Sequence, residues 1–200
     1  MIAIVDYGAG NLNSVRKAFD YLGAEVTVTS HSAAVAAADK IVLPGVGHFF
    51  ALSALDRAGL RAAALEGIHA GKPFLGICLG MQWLFEGSEE APDLPGAGLL
   101  SGRCRPFPAQ VKSPHVGWNS LSPKASPPKQ SRLLRHLPPD SFVYFTHSFH
   151  APVTEHTSAT TDYGLPFSSA IERNNIFGVQ FHPEKSGSAG LQILRNFCEV

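Results

Sequence analysis

The sequence predicts an α/β fold of three layers around a central, mostly parallel mixed sheet, with antiparallel strands at one side. Three observations carry this. Strand-like and helix-like segments alternate through residues 1–85, the pattern of βαβ units. Beyond the proline-rich stretch 121–139 the pattern becomes strands with few helices between them, which suits antiparallel pairing. Finally, 200 residues with 44% hydrophobic content and a mean hydropathy of +0.04 suffice for one domain over residues 1–200 with a substantial core.

Each element has its own signal. The apolar run Ile2–Asp6 ends at the turn Tyr7-Gly-Ala-Gly-Asn11, after which Val15, Ala18, Phe19 and Leu22 form one helical stripe. Gly23 stops that helix, and Glu25–Thr29 alternates Val26 and Val28 on one face. Ala33–Ala38 reads as a short helix and Lys40–Leu43 as a buried strand. Pro44-Gly-Val-Gly47 breaks the pattern, and a helical region runs on to about Glu66. Lys72 and Pro73 lead into the strand Phe74–Ile77. Residues 121–139, with Pro123, Pro127, Pro128, Pro138 and Pro139, read as an exposed loop region. Phe142–Phe145, Ser168–Glu172 and Ile176–Phe181 are strand candidates, and Leu191, Leu194 and Phe197 mark a closing helix.

Bulk properties exclude several functions. The net charge of +0 provides no field to recruit nucleic acid or an acidic membrane surface. Three cysteines without a Cys-x-x-Cys pair argue against both a disulfide framework and a cysteine zinc site. The opening Met-Ile-Ala-Ile-Val-Asp lacks a basic n-region and a long apolar h-region, and no apolar run approaches the about 20 residues that span a bilayer. A cytoplasmic location is the expectation. The Gly8-Ala-Gly-Asn11 turn lacks the full dinucleotide fingerprint, so no nucleotide cofactor is expected.

The chemistry concentrates at Gly-Ile-Cys-Leu-Gly-Met-Gln (76–82) and Phe-His-Pro-Glu-Lys-Ser (181–186). The first places Cys78 on a glycine-flanked strand-to-helix turn, the logic of a nucleophile elbow. A helix from Leu79 would aim its free N–H groups at the sulfur and stabilise a thiolate, and the Leu79 N–H could receive a developing oxyanion. In the second, His182 and Glu184 lie two apart on an extended segment, so both project to one side and the carboxylate can orient the imidazole. Together they are the toolkit of acyl transfer. A free cysteine is often only a buried core residue, but the flanking glycines and the His-Pro-Glu box weigh against that here. Gly45 and Gly47 would let the peptide before Val46 rotate and offer a second oxyanion donor, although a plain β–α turn is the bland alternative. His48, His115 and His147 read as local hydrogen-bonding residues.

These segments resemble the class I, triad-type glutamine amidotransferases, and among them the glutaminase subunits of imidazole glycerol phosphate synthase. The narrower similarity rests on Asp-Tyr-Gly-Ala-Gly-Asn (6–11), Pro-Gly-Val-Gly (44–47), Pro-His-Val-Gly-Trp-Asn (114–119) and Tyr-Phe-Thr-His-Ser-Phe (144–149), in order along nearly the whole chain. The resemblance implies a flavodoxin-like fold and a Cys78–His182–Glu184 triad that hydrolyses glutamine. It also implies oxyanion donors at the Leu79 and Val46 amides, and glutamine held by Gly47, Gln82, Ser148 and Phe149. It implies no cofactor and no metal. The implied partner is a (β/α)₈-barrel cyclase subunit in a heterodimer, met by Asn11, Trp118, Tyr144 and Lys185 and supplied with the ammonia. Phe149 departs from the tyrosine often found there, so a backbone contact would survive and a hydroxyl contact would not. Another amidotransferase subunit, a non-catalytic interaction module and a thiol protease or chaperone on the same elbow are the alternatives.

Overall fold

A computed structural model describes residues 1–123, 131–138 and 140–200. The loop reading at Pro127, Pro128 and Pro139 lies outside the described residues. The first half runs β1 (Ile2–Val5), α1 (Leu12–Tyr21), β2 (Val26–Thr29), α2 (Ser32–Ala37), β3 (Lys40–Gly45), a 3₁₀ turn (Phe49–Ser53), α3 (Ala54–Arg57), α4 (Leu60–His69), β4 (Phe74–Cys78) and α5 (Leu79–Trp83). Then come β5 (Gly87–Ser88), β6 (Ala91–Pro95), β7 (Arg103–Pro106), β8 (His115–Ser120), β9 (Ser122–Pro123), β10 (Phe142–His147) and β11 (Phe149–His150). The chain closes with β12 (Thr157–Asp162), β13 (Pro166–Arg173), β14 (Ile176–Val179), a 3₁₀ turn (Pro183–Lys185) and α6 (Gly187–Cys198).

The large sheet has the order β2-β1-β3-β4-β14-β13-β12-β9. Its first five strands are parallel, and β13, β12 and β9 pair antiparallel at the far side. This is the mixed sheet the sequence predicts. Side chains alternate across β1 because the strand period is two. Ala3 and Val5 join Leu43, Phe74 and Trp83 on one face, while Ile2 and Ile4 join Val42, Ile77, Phe177 and Phe197 on the other. Two apolar layers on one sheet make three layers in all. Helix α1 buries Val15, Ala18 and Phe19, as its stripe requires, and the Phe19 ring meets the α6 residue Phe197 edge-on with centroids 6.4 Å apart. The described residues also form two smaller sheets, β10-β8 and β11-β7-β5-β6. Among the described residues, no helix is long and apolar enough to cross a membrane.

Several boundaries differ from expectation. Strand β3 does not stop at Leu43: Pro44 pairs with Ile77 and Gly45 with Cys78, so the segment read as a break extends the sheet. Pro44 costs the ladder a donor without ending the strand. The helical region after residue 47 is three pieces, and Gly59, left-handed at φ 67, makes the break between α3 and α4. Ile176–Phe181 ends as a strand at Val179, and α6 buries Ile193, Leu194 and Phe197 while Leu191 stays half-exposed. Strand β8 and the β5–β6–β7 group are too short or too irregular in pattern to read from period alone.

The turn from β4 into α5 lies against β3 with no room to spare. A methyl group on Gly80 would fall inside the Leu43 carbonyl, and one on Gly76 would strike the Gly80 carbonyl. Both obstacles are backbone, which cannot swing aside. Gly80→Ala is therefore expected to destabilise the chain by about 3 kcal/mol or more. Gly71→Ala, a left-handed position with open space around it, should lose only about 1–2 kcal/mol. Urea unfolding of the two variants checks the ranking, and equal losses would contradict the packing argument.

Candidate active site

Cys78 ends β4 and caps α5 with φ 54 and ψ −106, a conformation that a non-glycine residue enters only under constraint. The elbow's bend therefore sits in the cysteine itself. The sequence reading placed that freedom in the flanking glycines, but neither has a positive φ. Their lack of a side chain serves the close approach of α5 to β3 and β4. Helix α5 has only five residues, so it carries a fraction of a full macrodipole and brings mainly its first N–H groups to the sulfur. Gly45 is likewise held in the sheet opposite Cys78, and a Cβ there would collide with the Tyr7 hydroxyl and the Leu79 side chain. Backbone freedom in the 44–47 turn thus concentrates at Gly47, with φ 91, and is not shared equally with Gly45.

His182 and Glu184 are both 1% exposed in their side chains, and the imidazole Nδ1 lies 2.9 Å from Glu184 Oε1. The contact is made by a turn rather than by a strand. His182 is extended, but Pro183–Lys185 coils into a 3₁₀ turn that brings the carboxylate back beneath the ring. Burial pushes His182 down, but hydrogen bonding to Cys78 and Glu184 and the negative charge available on both outweigh it, raising the imidazole to about 10. With Nδ1 taken by Glu184, the ring lies between the thiol and the carboxylate. Its Nε2 is buried and makes no hydrogen bond of ordinary geometry, so the thiol is a near neighbour rather than a fully formed partner. The thiol itself faces the Thr146 carbonyl at 3.9 Å.

A cavity of about 230 Å³ opens over the thiol, lined by Gly47, Cys78, Leu79, Gln82, Ser148 and Phe149, all singled out from sequence. Glu90, Pro114, Thr146 and His147 complete the lining and were not expected there. Val46 is outside the lining and 37% exposed. Gln82 is buried and donates from Nε2 to the Phe149 carbonyl (2.8 Å) and to Gln180 Oε1 (3.0 Å). Glu90 accepts from the Phe49 N–H at 2.7 Å, which fixes its carboxylate at the rim. Nothing local in the sequence marks Glu90, since its place depends on the small β5–β6 hairpin.

The histidines expected to bond locally do so. His48 Nδ1 accepts from the Phe50 N–H, and His115 pairs with His147 at 3.1 Å in the core. Burial holds His115 and His147 in the neutral form, down to about 4 and about 3 respectively. Of the four residues read as a partner contact, three cluster. Trp118 is 55% exposed and pairs across β8–β10 with Tyr144, its ring 6.0 Å away, and Lys185 Nζ lies 5.8 Å over the Tyr144 ring. Asn11 stands apart in a larger open cleft of about 640 Å³ beside Asp6, Asn13 and Arg16, which includes none of Cys78, His182 and Glu184.

Comparison with known proteins agrees with this architecture. The family described as "Glutamine amidotransferase class-I" matches residues 3–200. The imidazole glycerol phosphate synthase subunit HisH of Deinococcus radiodurans is 47% identical over 201 residues, covering 98% of this chain and 92% of that protein. The HisH subunit of Chlorobium luteolum is 50% identical over 204 residues, covering 100% of both. A solved glutamine amidotransferase superposes with a TM-score of 0.76 at 17% identity, covering 100% of this chain and 98% of its own, a likeness of fold alone. The chain belongs to the class-I glutamine amidotransferases, within the group of imidazole glycerol phosphate synthase HisH subunits.

Proposed function

We propose that this chain is a single domain that hydrolyses glutamine to glutamate and ammonia, as the glutaminase subunit of an imidazole glycerol phosphate synthase in histidine biosynthesis. The observation that carries the site assignment is the meeting of a strained cysteine elbow, a buried His182–Glu184 pair and a small cavity directly over the sulfur. Cys78 attacks the carboxamide carbon as a thiolate, its proton having passed to His182. His182 then returns that proton to the departing ammonia, leaving a thioester that water resolves to glutamate. Glu184 holds the imidazole in place and balances its charge. The Leu79 N–H receives the oxyanion directly, because it opens α5 beside the sulfur.

The second oxyanion donor is the Val46 N–H. It reaches the site by rotation of the Gly45–Val46 peptide about Gly45 ψ and Val46 φ when the partner docks. Gly47, Gln82, Ser148 and Phe149 hold the substrate. The ammonia passes to a (β/α)₈-barrel cyclase subunit in a cytoplasmic heterodimer, against the face bearing Trp118, Tyr144 and Lys185, with Asn11 as a separate contact. The cyclase forms imidazole glycerol phosphate and an aminoimidazole carboxamide ribotide.

Replacing Cys78 with alanine should abolish glutamine-dependent synthesis by the complex, by at least about 10³-fold, and leave ammonia-dependent synthesis intact. Survival of the glutamine-dependent reaction would remove the nucleophile. Glutamate release by the isolated chain should be slow and should rise on addition of the cyclase subunit, whereas full turnover alone would rule out the docking-dependent donor. Glu184→Gln should lower kcat by about 10²–10⁴-fold with little change in KM.

The same pair sets a pH dependence. Because His182 is raised from 6.5 to about 10, the folded chain holds a proton that the unfolded chain releases. The stability this contributes is complete below 6.5 and is lost as pH rises through about 10. Urea midpoints measured across that window should fall with rising pH in the wild type and fall less in Glu184→Gln. Parallel curves would show that Glu184 is not what holds the proton.

A further inference from the structure

We propose that Gln180 is a positioning residue for Cys78: a fully buried amide that donates a hydrogen bond to the sulfur and favours the thiolate. The inference rests on the reading of Cys78 as the nucleophile. Gln180 Nε2 lies 3.6 Å from Cys78 Sγ, and the residue is 0% exposed. Its backbone is pinned by its own N–H to the Ser169 carbonyl at 2.9 Å. An amide buried this deeply is costly unless both ends are used, and here both are.

Which end faces the sulfur follows from the donors around it rather than from the shape of the amide. The Phe149 carbonyl can only accept, and it takes Gln82 Nε2 at 2.8 Å and His147 Nδ1 at 2.8 Å. The Gln82 amide is thereby oriented, and its Nε2 also reaches Gln180 Oε1 at 3.0 Å. That oxygen is therefore the acceptor, so Gln180 must turn its N–H group to Cys78. His147 is held in turn, since with its Nδ1 donating, its Nε2 accepts from His115 Nδ1 at 3.1 Å. Orientation thus runs through fixed partners from the His115–His147 pair to the sulfur.

The consequence is specific to the ionised form. A thiol can donate to the Thr146 carbonyl at 3.9 Å, but a thiolate faces that oxygen with no proton between them. Gln180 supplies a neutral donor whose bond strengthens as the charge forms. The titratable groups around the sulfur are His182, Tyr7, Cys104 and His147, which burial keeps neutral, with Glu184 behind His182 and Glu90 across the cavity. Burial raises both Tyr7 and Cys104 well above their ordinary range, so neither is a charged competitor at neutral pH.

The test is the pH profile of Cys78 alkylation by iodoacetamide, read by peptide mass spectrometry so that Cys104 and Cys198 are counted separately. Gln180→Met keeps the volume and removes the donor. It should slow alkylation at neutral pH about tenfold and move the midpoint to higher pH, leaving the plateau rate at high pH unchanged. Gln180→Glu keeps an acceptor for Gln82 and should move the midpoint at least as far, so it carries the same readout if the methionine variant fails to fold. In the complex, kcat for glutamine should fall with the alkylation rate while KM stays within about twofold. A wild-type pH profile in both variants would overturn this inference and leave the nucleophile assignment standing. Glutamine hydrolysis that survives Cys78→Ala would instead overturn that assignment.

Discussion

The site depends on the close approach of the β4–α5 elbow to strand β3. Gly45 pairs with Cys78 across the sheet, and Gly80 packs against the Leu43 carbonyl at a distance no other residue allows. This contact holds the positive φ of Cys78, a conformation costing about 1–3 kcal/mol that persists only where its surroundings overdetermine it. It also brings the 44–47 turn and the start of α5 to the same sulfur. Loss of that approach would free the cysteine to relax and move both candidate oxyanion donors away together.

Electrostatics builds on that geometry. His182 and Glu184 are almost completely buried, so each is tolerated because the other is within 2.9 Å and because the thiol stands on the far side of the ring. Gln82, His147 and Gln180 near the sulfur are neutral and oriented by their hydrogen bonds. The Phe149 carbonyl gathers donors from Gln82 and His147, and Gln180 completes the chain to Cys78. A buried network with its members satisfied is rigid, which suits a site that must place a small amide accurately. Glu90 adds the opposite feature, a fixed carboxylate at the mouth.

Much of this was legible because it is encoded locally. The alternation of strands and helices through residue 85 specifies the parallel half of the sheet, and the elbow and the His-Pro-Glu box are contiguous motifs. Six residues singled out from the elbow and from the 44–47 and 144–149 segments line one cavity. What sequence did not reveal depends on distant pairing. Glu90 reaches the rim through a two-residue strand, Gln180 gains its meaning only from Gln82 nearly a hundred positions earlier, and His147 from His115. The glycines of the elbow make room rather than bend, and Glu184 meets His182 through a 3₁₀ turn rather than along a strand.

The central claim is that Cys78 is the one thiol activated for attack on a glutamine carboxamide. Cys104 is fully buried and Cys198 half-buried at the end of α6, and neither lines the cavity. The most direct measurement is to treat the assembled enzyme with an electrophilic glutamine analogue and map the covalent adduct by mass spectrometry. The adduct should form on Cys78 alone, protected by excess glutamine and suppressed when His182 is replaced. Labelling at Cys104 or Cys198, or labelling of Cys78 that glutamine does not protect, would contradict it.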